Sequence, residues 1–280
     1  MDTNVSPTTA YITGAGSGIG LEMARRYARQ GTNLALFDLR FNDSVRQEFE
    51  TTCEQYGGSL SLAEGDVTDA ASLAQRVSEA NKAVGEPDLV LHCAGINLTG
   101  PFTKIPDGEF EKVVNVNLMG TYNLVRAVLP LLQSRARSSA QSPRLVVIAS
   151  MAGLVGNYGY ASYCASKFGV IGLAQTLRME LKPEGIRVQV ICPPEVDTPM
   201  VHEEHKTIHP VTLKLKLMAG ALSLDEAIDG IMKGMQGRGF LIIPGVKAKL
   251  TYWMTRLVPT RLSYATVDRI VRETLQEKSG

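Results

Sequence analysis

The sequence predicts a doubly wound α/β fold, with a parallel seven-stranded sheet, helices on both its faces and a C-terminal helical appendage. Three observations predict it. Short apolar runs alternate with helical segments from residue 10 to residue 243, the alternation that builds parallel sheets. The runs, such as Asn33–Phe37 (NLALF) and Arg187–Cys192 (RVQVIC), lack a two-residue polar alternation, so they belong to strands covered on both faces. A glycine cluster stands directly between the first apolar run and the first helical segment.

In order, Ala10–Ile12 reads as the first strand and Ile19–Gln30 as the first helix. Asn33–Phe37, Ser59–Ala63 and Asp88–His92 are the next strands, separated by helices over Asp43–Tyr56 and Ala70–Ala83. A long helical stretch covers 107–135, interrupted at Gly120. Arg144–Ala149 is the fifth strand, Tyr160–Leu181 a helix, and Arg187–Cys192 the sixth strand. Leu224–Met235 is helical and Phe240–Ile243 is the seventh strand. Right-handed crossovers leave few topologies for such a series. The Ser-rich segment Ser134–Ser142 reads as a solvated loop. After Gly245 the pattern changes to two amphipathic helices, Val246–Val258 and Ser263–Gln276.

A chain of 280 residues that is 44% hydrophobic supports one sizeable core. Lys and Arg (29) nearly cancel Asp and Glu (28), a net charge of +1. That balance gives no reason to expect a nucleic-acid partner. Cys53, Cys93, Cys164 and Cys192 show no CxxC spacing and read as reduced thiols of a cytoplasmic protein. Residues 1–7 carry no charged-then-apolar leader, and no run approaches the ~20 apolar residues of a membrane span.

Thr13-Gly14-Ala15-Gly16-Ser17-Gly18-Ile19-Gly20 is the first strand-to-helix turn. Glycines there allow a tight turn and close approach of backbone to a pyrophosphate, which the N–H groups of the helix end then hold. Gly14, Ser17, Gly18, Ile19 and Gly20 are therefore cofactor-binding candidates. Asp38 ends the second strand. A carboxylate there accepts hydrogen bonds from ribose hydroxyls and repels a 2′-phosphate, favouring NAD over NADP. Arg40 works against that preference, and a loop cap is the structural alternative for Asp38.

Tyr163 and Lys167 stand four apart near the start of a helix, one turn apart on one face. Ser150 ends the fifth strand thirteen residues earlier, and Asn117 lies inside the long helix. In this order, behind a dinucleotide turn, the set resembles the short-chain dehydrogenase/reductase family. The resemblance covers about residues 8–243 and belongs to the TGxxxGxG subgroup, met by Thr13, Gly14, Gly18 and Gly20. It implies a Rossmann fold and further cofactor contacts: Asp66-Val67 beside the adenine, Ala94-Gly95 after the fourth strand, and Pro193, Val196 and Thr198 near the nicotinamide. It implies that Tyr163 is the general acid/base, that Lys167 holds the nicotinamide ribose and lowers the phenol pKa, that Ser150 donates to the substrate oxygen, and that Asn117 holds a water linked to Lys167. Asn115 is the rival for that last role. A homodimer or homotetramer is the expected assembly.

Several positions depart from the family. His92-Cys93-Ala94-Gly95 replaces Asn-Asn-Ala-Gly, and His92 is expected to be a core polar residue. Pro193-Pro194-Glu195-Val196-Asp197-Thr198-Pro199 resembles the loop of 3-ketosphinganine reductases, although those enzymes usually prefer NADPH. Phe240–Gly245 (FLIIPG) replaces the common strand ending, which puts the tetramer interface in doubt. Residues 1–245 are expected to form the catalytic domain, with 199–222 covering the substrate, and 246–280 a helical extension. The apolar stretch Leu213–Leu222 favours a hydrophobic substrate, down to a long-chain lipid. His202, Glu203, Glu204, His205 and His209 resemble metal ligands only in type: they form no HExxH, and no metal is expected. Leu250, Trp253, Met254 and Leu257 beside Lys247, Lys249 and Arg256 suit packing on the domain or in a dimer, covering an apolar substrate, or peripheral contact with a membrane. The sequence thus favours an NAD-linked alcohol/ketone oxidoreductase, against a non-catalytic dinucleotide sensor or scaffold. Epimerase or dehydratase chemistry is disfavoured by the glycine spacing.

Overall fold

The computed structural model describes residues 6–277; the outer ends of the expected domain and extension, residues 1–5 and 278–280, lie outside the described residues. The strands are β1 (Thr9–Thr13), β2 (Asn33–Asp38), β3 (Leu60–Glu64), β4 (Leu89–His92), β5 (Arg144–Ile148) and β6 (Arg187–Ile191), with the short β7 (Glu195–Val196), β8 (Ala221–Leu222) and β9 (Leu241–Ile242). The main sheet runs β3-β2-β1-β4-β5-β6-β9 with every pairing parallel. This is the expected doubly wound, seven-stranded fold. Its order reverses between β1 and β4, the switch point beside which open α/β sheets bind ligands.

Successive residues of the central strands feed opposite faces. Tyr11, Val90, Leu145 and Val147 join one buried cluster, and Ile12, Leu91, Val146 and Ile148 the other. The lack of polar alternation in the sequence is the direct consequence. The helices covering these faces include α1 (Gly18–Ala28), α2 (Asp43–Tyr56), α3 (Ala70–Val84), α4 (Glu109–Val114), α5 (Gly120–Ser138) and α6 (Ala161–Leu181).

The interruption expected at Gly120 takes another form. Asn115–Met119 is a π-helical turn between α4 and α5, and the chain stays helical through Gly120. Gly20 and Gly120 share a reason to be small: a Cβ on Gly120 would stand 2.6 Å from Val67 Cγ2. Pro130 lies inside α5 without ending it.

After β6, the chain leaves the sheet as α7 (Pro199–His205) and α8 (Pro210–Ala219) and returns through α9 (Leu224–Gln236) to β9. No sequence pattern marks the two-residue β7·β8 ladder, in which Glu195 faces Ala221 and Val196 faces Leu222. It ties the two ends of the excursion together. The tail forms α10 (Val246–Leu257) and α11 (Thr260–Gln276), both packed on α8. On α11 the half-buried Val267, Ile270 and Val271 share the inward face, as their spacing predicts. On α10 the inward face is Ala248, Thr251, Tyr252 and Thr255, whereas Leu250, Trp253, Met254 and Leu257 are each more than half exposed. The helix is therefore packed on its own domain, as one of the expected alternatives had it, while its apolar stripe faces away from the molecule.

Candidate active site

The turn after β1 is built on glycine conformations. Gly14 (φ 66°) and Gly18 (φ 53°) occupy the left-handed region, which costs other residues strain. A Cβ at Gly20 would stand 2.1 Å from the Gly14 carbonyl oxygen, so α1 starts as close to the turn as backbone allows. Ser17 precedes α1 with no side-chain capping bond. The first-turn N–H groups and the positive helix end are thus left for a ligand.

Asp38 does two things. Its Oδ2 accepts the Gly16 N–H at 2.8 Å and its Oδ1 the Arg40 N–H at 3.3 Å, while the side chain borders the cavity described below. The loop-cap alternative is thus present, at a carboxylate that also borders the cavity. Asp66 accepts the Thr68 N–H at 2.8 Å. Ala94 donates its N–H to Thr13 Oγ1 at 3.3 Å. A Cβ at Gly95 would lie 3.0 Å from Asn117 Oδ1 and 3.4 Å from Lys167 Nζ, so only glycine lets those two groups approach this strand end.

One cavity of about 910 Å³ connects these pieces. Gly14, Ser17, Gly18, Ile19, Gly20, Asp38, Asp66, Val67, Ala94 and Gly95 line one part of it. Ser150, Tyr163 and Lys167 line its centre, beside Pro193, Val196 and Thr198. Leu215, Met218 and Ala219 of α8, Thr251 and Thr255 of α10 and Val267 of α11 close the far end, and the wall is mostly apolar. Of the expected site residues, Asn117 alone does not border the cavity; its rival Asn115 does. Asn117 is buried, donates to Ile96 O and Ser166 Oγ at 2.9 Å each, and accepts the Ile96 N–H at 2.8 Å. Both its side-chain donors are spent on holding the β4 exit against α6.

Ser150 also has two roles. Its Oγ caps the 3₁₀ turn Met151–Gly153 by accepting the Ala152 N–H at 3.1 Å, and it hydrogen-bonds Tyr163. Burial pushes the Tyr163 phenol above its ordinary value, Ser150 pulls it down, and Glu204 pushes it up again. Lys167 lies 5.6 Å from the Tyr163 ring centroid and donates to Ile148 O at 3.1 Å. Burial lowers its pKa to about 8. In the protein alone burial thus raises the phenol, against the direction expected from Lys167. His92 is the core polar residue the sequence suggested: its Nδ1 meets Thr13 Oγ1 at 2.6 Å, and burial, aided by Lys167, lowers its pKa to about 3.

The sequence did not reveal the polar network under α7 and α8. Glu204 Oε1 accepts the Tyr160 hydroxyl and Lys216 Nζ (2.9 Å), and Oε2 accepts Asn97 Nδ2 (3.1 Å). Lys216 also pairs with Glu195 at 2.6 Å, and His205 meets Glu195 at 3.1 Å. Burial raises the Glu195 carboxyl, but Lys216 and His205 outweigh it and the net shift is downward. Tyr160 stacks edge-on against Tyr163 at 5.4 Å. Of the residues that resemble metal ligands only in type, Glu203 and Glu204 pair with Lys206 and Lys216, His202 and His205 meet Asp197 and Glu195, and His209 accepts the Val211 N–H. Among the described residues, no group of three or more His, Cys, Asp or Glu side chains could hold a metal ion.

The fold and this site are those of a doubly wound α/β oxidoreductase. The sequence pattern of the family described as short chain dehydrogenase matches residues 8–209, and the chain belongs to that family. Oxidoreductase UcpA of Salmonella typhimurium is 32% identical, covering 81% of this chain and 84% of its own. The 3-dehydrosphinganine reductase of Danio rerio is 30% identical, covering 79% and 66%. A Burkholderia phymatum short chain dehydrogenase/reductase, solved in complex with NAD, has the same fold at a TM-score of 0.75 and 24% identity, covering 89% of this chain and 92% of its own.

Proposed function

We propose that the protein interconverts an alcohol and a ketone on a hydrophobic substrate with NAD(P), preferring NAD, and that Tyr163 exchanges the proton. The observation carrying this reading is the single cavity that joins the glycine turn to Ser150, Tyr163 and Lys167 beneath an apolar cap. The residues present fit a dinucleotide: the glycine turn leaves no room for side chains, the α1 N-terminus is uncapped, and Asp38 stands at the end of β2. Gly14, Ser17, Gly18, Ile19 and Gly20 would hold its pyrophosphate, and Asp38 its adenosine ribose. Asp66 and Val67 would flank the adenine; Ala94, Gly95, Lys167, Pro193, Val196 and Thr198 would hold the nicotinamide half. The cofactor, when bound, supplies or removes the hydride.

The chain's own residues do the rest. In reduction, the Tyr163 hydroxyl gives its proton to the substrate oxygen, and Ser150 donates to that oxygen as negative charge develops. Lys167 favours the phenolate that remains, and an oxidised nicotinamide held beside it would add to that through its positive charge. Asn117 is a positioning residue, fixing the β4 exit beside Lys167. The apolar wall given by α8, α10 and α11 favours a long hydrocarbon substrate. Within this reading, a 3-ketosphinganine reductase-like substrate is supported by the Pro193-Pro194 loop and by the 3-dehydrosphinganine reductase among the relatives. The outward stripe Leu250, Trp253, Met254 and Leu257, flanked by Lys247, Lys249 and Arg256, supports peripheral contact with an anionic membrane surface. No described helix is long and apolar enough to cross a membrane.

The test is NADH oxidation with long- and short-chain ketones by the native protein and Tyr163→Phe. Turnover falling by about a thousandfold in the variant, with NADH affinity kept, is the expected result for loss of a general acid. Nucleotide binding without turnover of any ketone or alcohol would favour the sensor instead.

A further inference from the structure

Helix α7 borders the cavity with Pro199, Met200, Val201 and Glu204, and of its residues only Glu204 is buried. That side chain is 5% exposed, a seclusion that glutamate almost never reaches without partners. Its partners come from three other elements. Tyr160, at the start of α6, and Lys216 of α8 donate to Oε1, and Asn97, just after β4, donates to Oε2. Fastening α7 to the wall does not require an ion, since an apolar side chain of similar volume would bury there without desolvating a charge. What the carboxylate adds is negative charge beside the proposed reaction centre.

That charge bears on Tyr163. Tyr160 and Tyr163 meet edge-on at 5.4 Å, and the Tyr160 hydroxyl bonds Glu204. The groups around the phenol divide by their effect on it. Ser150 favours the phenolate and Glu204 disfavours it; Lys167, 5.6 Å from the ring centroid, favours it in the proposed reaction. Cys164 and Cys192 also face Tyr163, but burial raises both thiols, so neither is charged near neutral pH. On the side of α8, Lys216 lies 5.8 Å from the Tyr160 ring centroid. Its ammonium is divided between Glu195 at 2.6 Å and Glu204 at 2.9 Å, and His205 meets Glu195.

We propose that Glu204 is a positioning residue for this reaction: seated on Tyr160, it holds Tyr163 in the proton-bearing form from which a ketone is reduced. The inference rests on the proposed reading of Tyr163 as the general acid. Reduction needs the phenol and is lost as pH rises past its ionisation, whereas alcohol oxidation needs the phenolate and begins there. A carboxylate close by disfavours a second negative charge and moves that boundary upward. Glu204 thus widens the pH range in which the protein acts as a reductase.

The test is the pH profile of kcat/KM for methyl nonyl ketone at saturating NADH, in the native protein and in Glu204→Gln. The variant keeps an oxygen for Tyr160. Its new amide can donate to Asn97 Oδ1, which is buried without a partner among the described residues, once Asn97 turns over. Circular dichroism and Tm should therefore stay close to native. The pH at which reduction declines is expected to fall by about one unit, the low end of what a close charge does to a titration. A purely structural anchor would change the rate at every pH and leave that point where it was. A decline at the same pH in both proteins, or in neither, overturns the inference. If Glu204→Gln does not fold, Tyr160→Phe decides: it keeps the ring on Tyr163 and removes the seat of the carboxylate, so the decline should again move to lower pH, and an unmoved decline overturns the inference. No turnover of any ketone or alcohol by the native protein defeats the oxidoreductase reading and this inference with it, whereas turnover with an unmoved decline defeats this one alone.

Discussion

Tyr163 and His92 are both buried titratable groups, and burial drives them in opposite directions because their charged forms have opposite sign. The phenol goes up and the imidazole down to about 3. For His92 this has a stability consequence. Between pH 6.5 and about 3, the unfolded chain takes up a proton at this residue and the native chain does not, so stability falls as pH falls through that window. Urea unfolding should show the native protein losing up to about 1.4 kcal/mol per pH unit more than His92→Asn below pH 6.5. Equal slopes would assign the acid sensitivity elsewhere. Asp38 permits a second test at this scale. Asp38→Asn keeps an acceptor for the Gly16 N–H and removes the charge, so the turn should survive. The ratio of NADP to NAD affinity should rise by about tenfold, a difference of roughly 1.4 kcal/mol, as measured by fluorescence titration. Stronger NADP than NAD binding by the native protein would defeat the Asp38 reading. Ser150, Tyr163 and Lys167 were legible in the sequence because strand end and helix face fix their relations locally. Glu204 was not, because its partners Asn97, Tyr160 and Lys216 come from three other segments brought together only by the fold.

At the scale of elements, the regular pieces were legible where a pattern had a single physical meaning. Apolar runs without alternation could only be strands covered twice, and the sheet has that form. The π turn at Asn115–Met119 was not legible, because no composition marks it; it carries Asn117, whose side chain binds the Ile96 backbone and Ser166 at the same time. The two-residue β7·β8 ladder is too short for any periodicity. The stripe on α10 was left open for a different reason. Spacing shows that Leu250, Trp253, Met254 and Leu257 share a face, but not whether that face points inward. The glycine turn gives the sharpest test of an element. Gly20→Ala puts a methyl group 2.1 Å from the Gly14 carbonyl oxygen, so α1 must back away from the turn. Overpacking of this kind typically costs about 1–3 kcal/mol. Thermal unfolding should show a lowered Tm, and titration should show weakened nucleotide binding. Native affinity in the variant would mean that the close approach of α1 does not matter for the ligand.

For the whole molecule, the tail borders the cavity with one face and presents an apolar stripe with the other. The inward face of α10 supplies Thr251 and Thr255 to the cavity and α11 supplies Val267, while the outward face of α10 presents the apolar stripe. Deleting the residues after Gly245 should therefore do two separable things. It uncovers α8 and opens the far end of the cavity, so kcat/KM for long-chain ketones should fall by about tenfold or more, whereas a short ketone that never reaches that end keeps its rate; loss of a few methylene contacts is enough for a change of this size. It also removes the stripe, so sedimentation with anionic vesicles should be lost. Replacing Trp253 and Leu257 with lysine splits the effects. Both side chains face outward, so the cavity wall remains, and kinetics on dissolved long-chain ketones should stay native while vesicle binding falls. If the double variant loses long-chain kinetics to the same degree as the deletion, α10 cannot be held in place independently of its outer face, and the stripe is structural. If neither variant changes vesicle binding, the surface that α10 meets is not a bilayer, and the exposed residues become an interface for another protein chain.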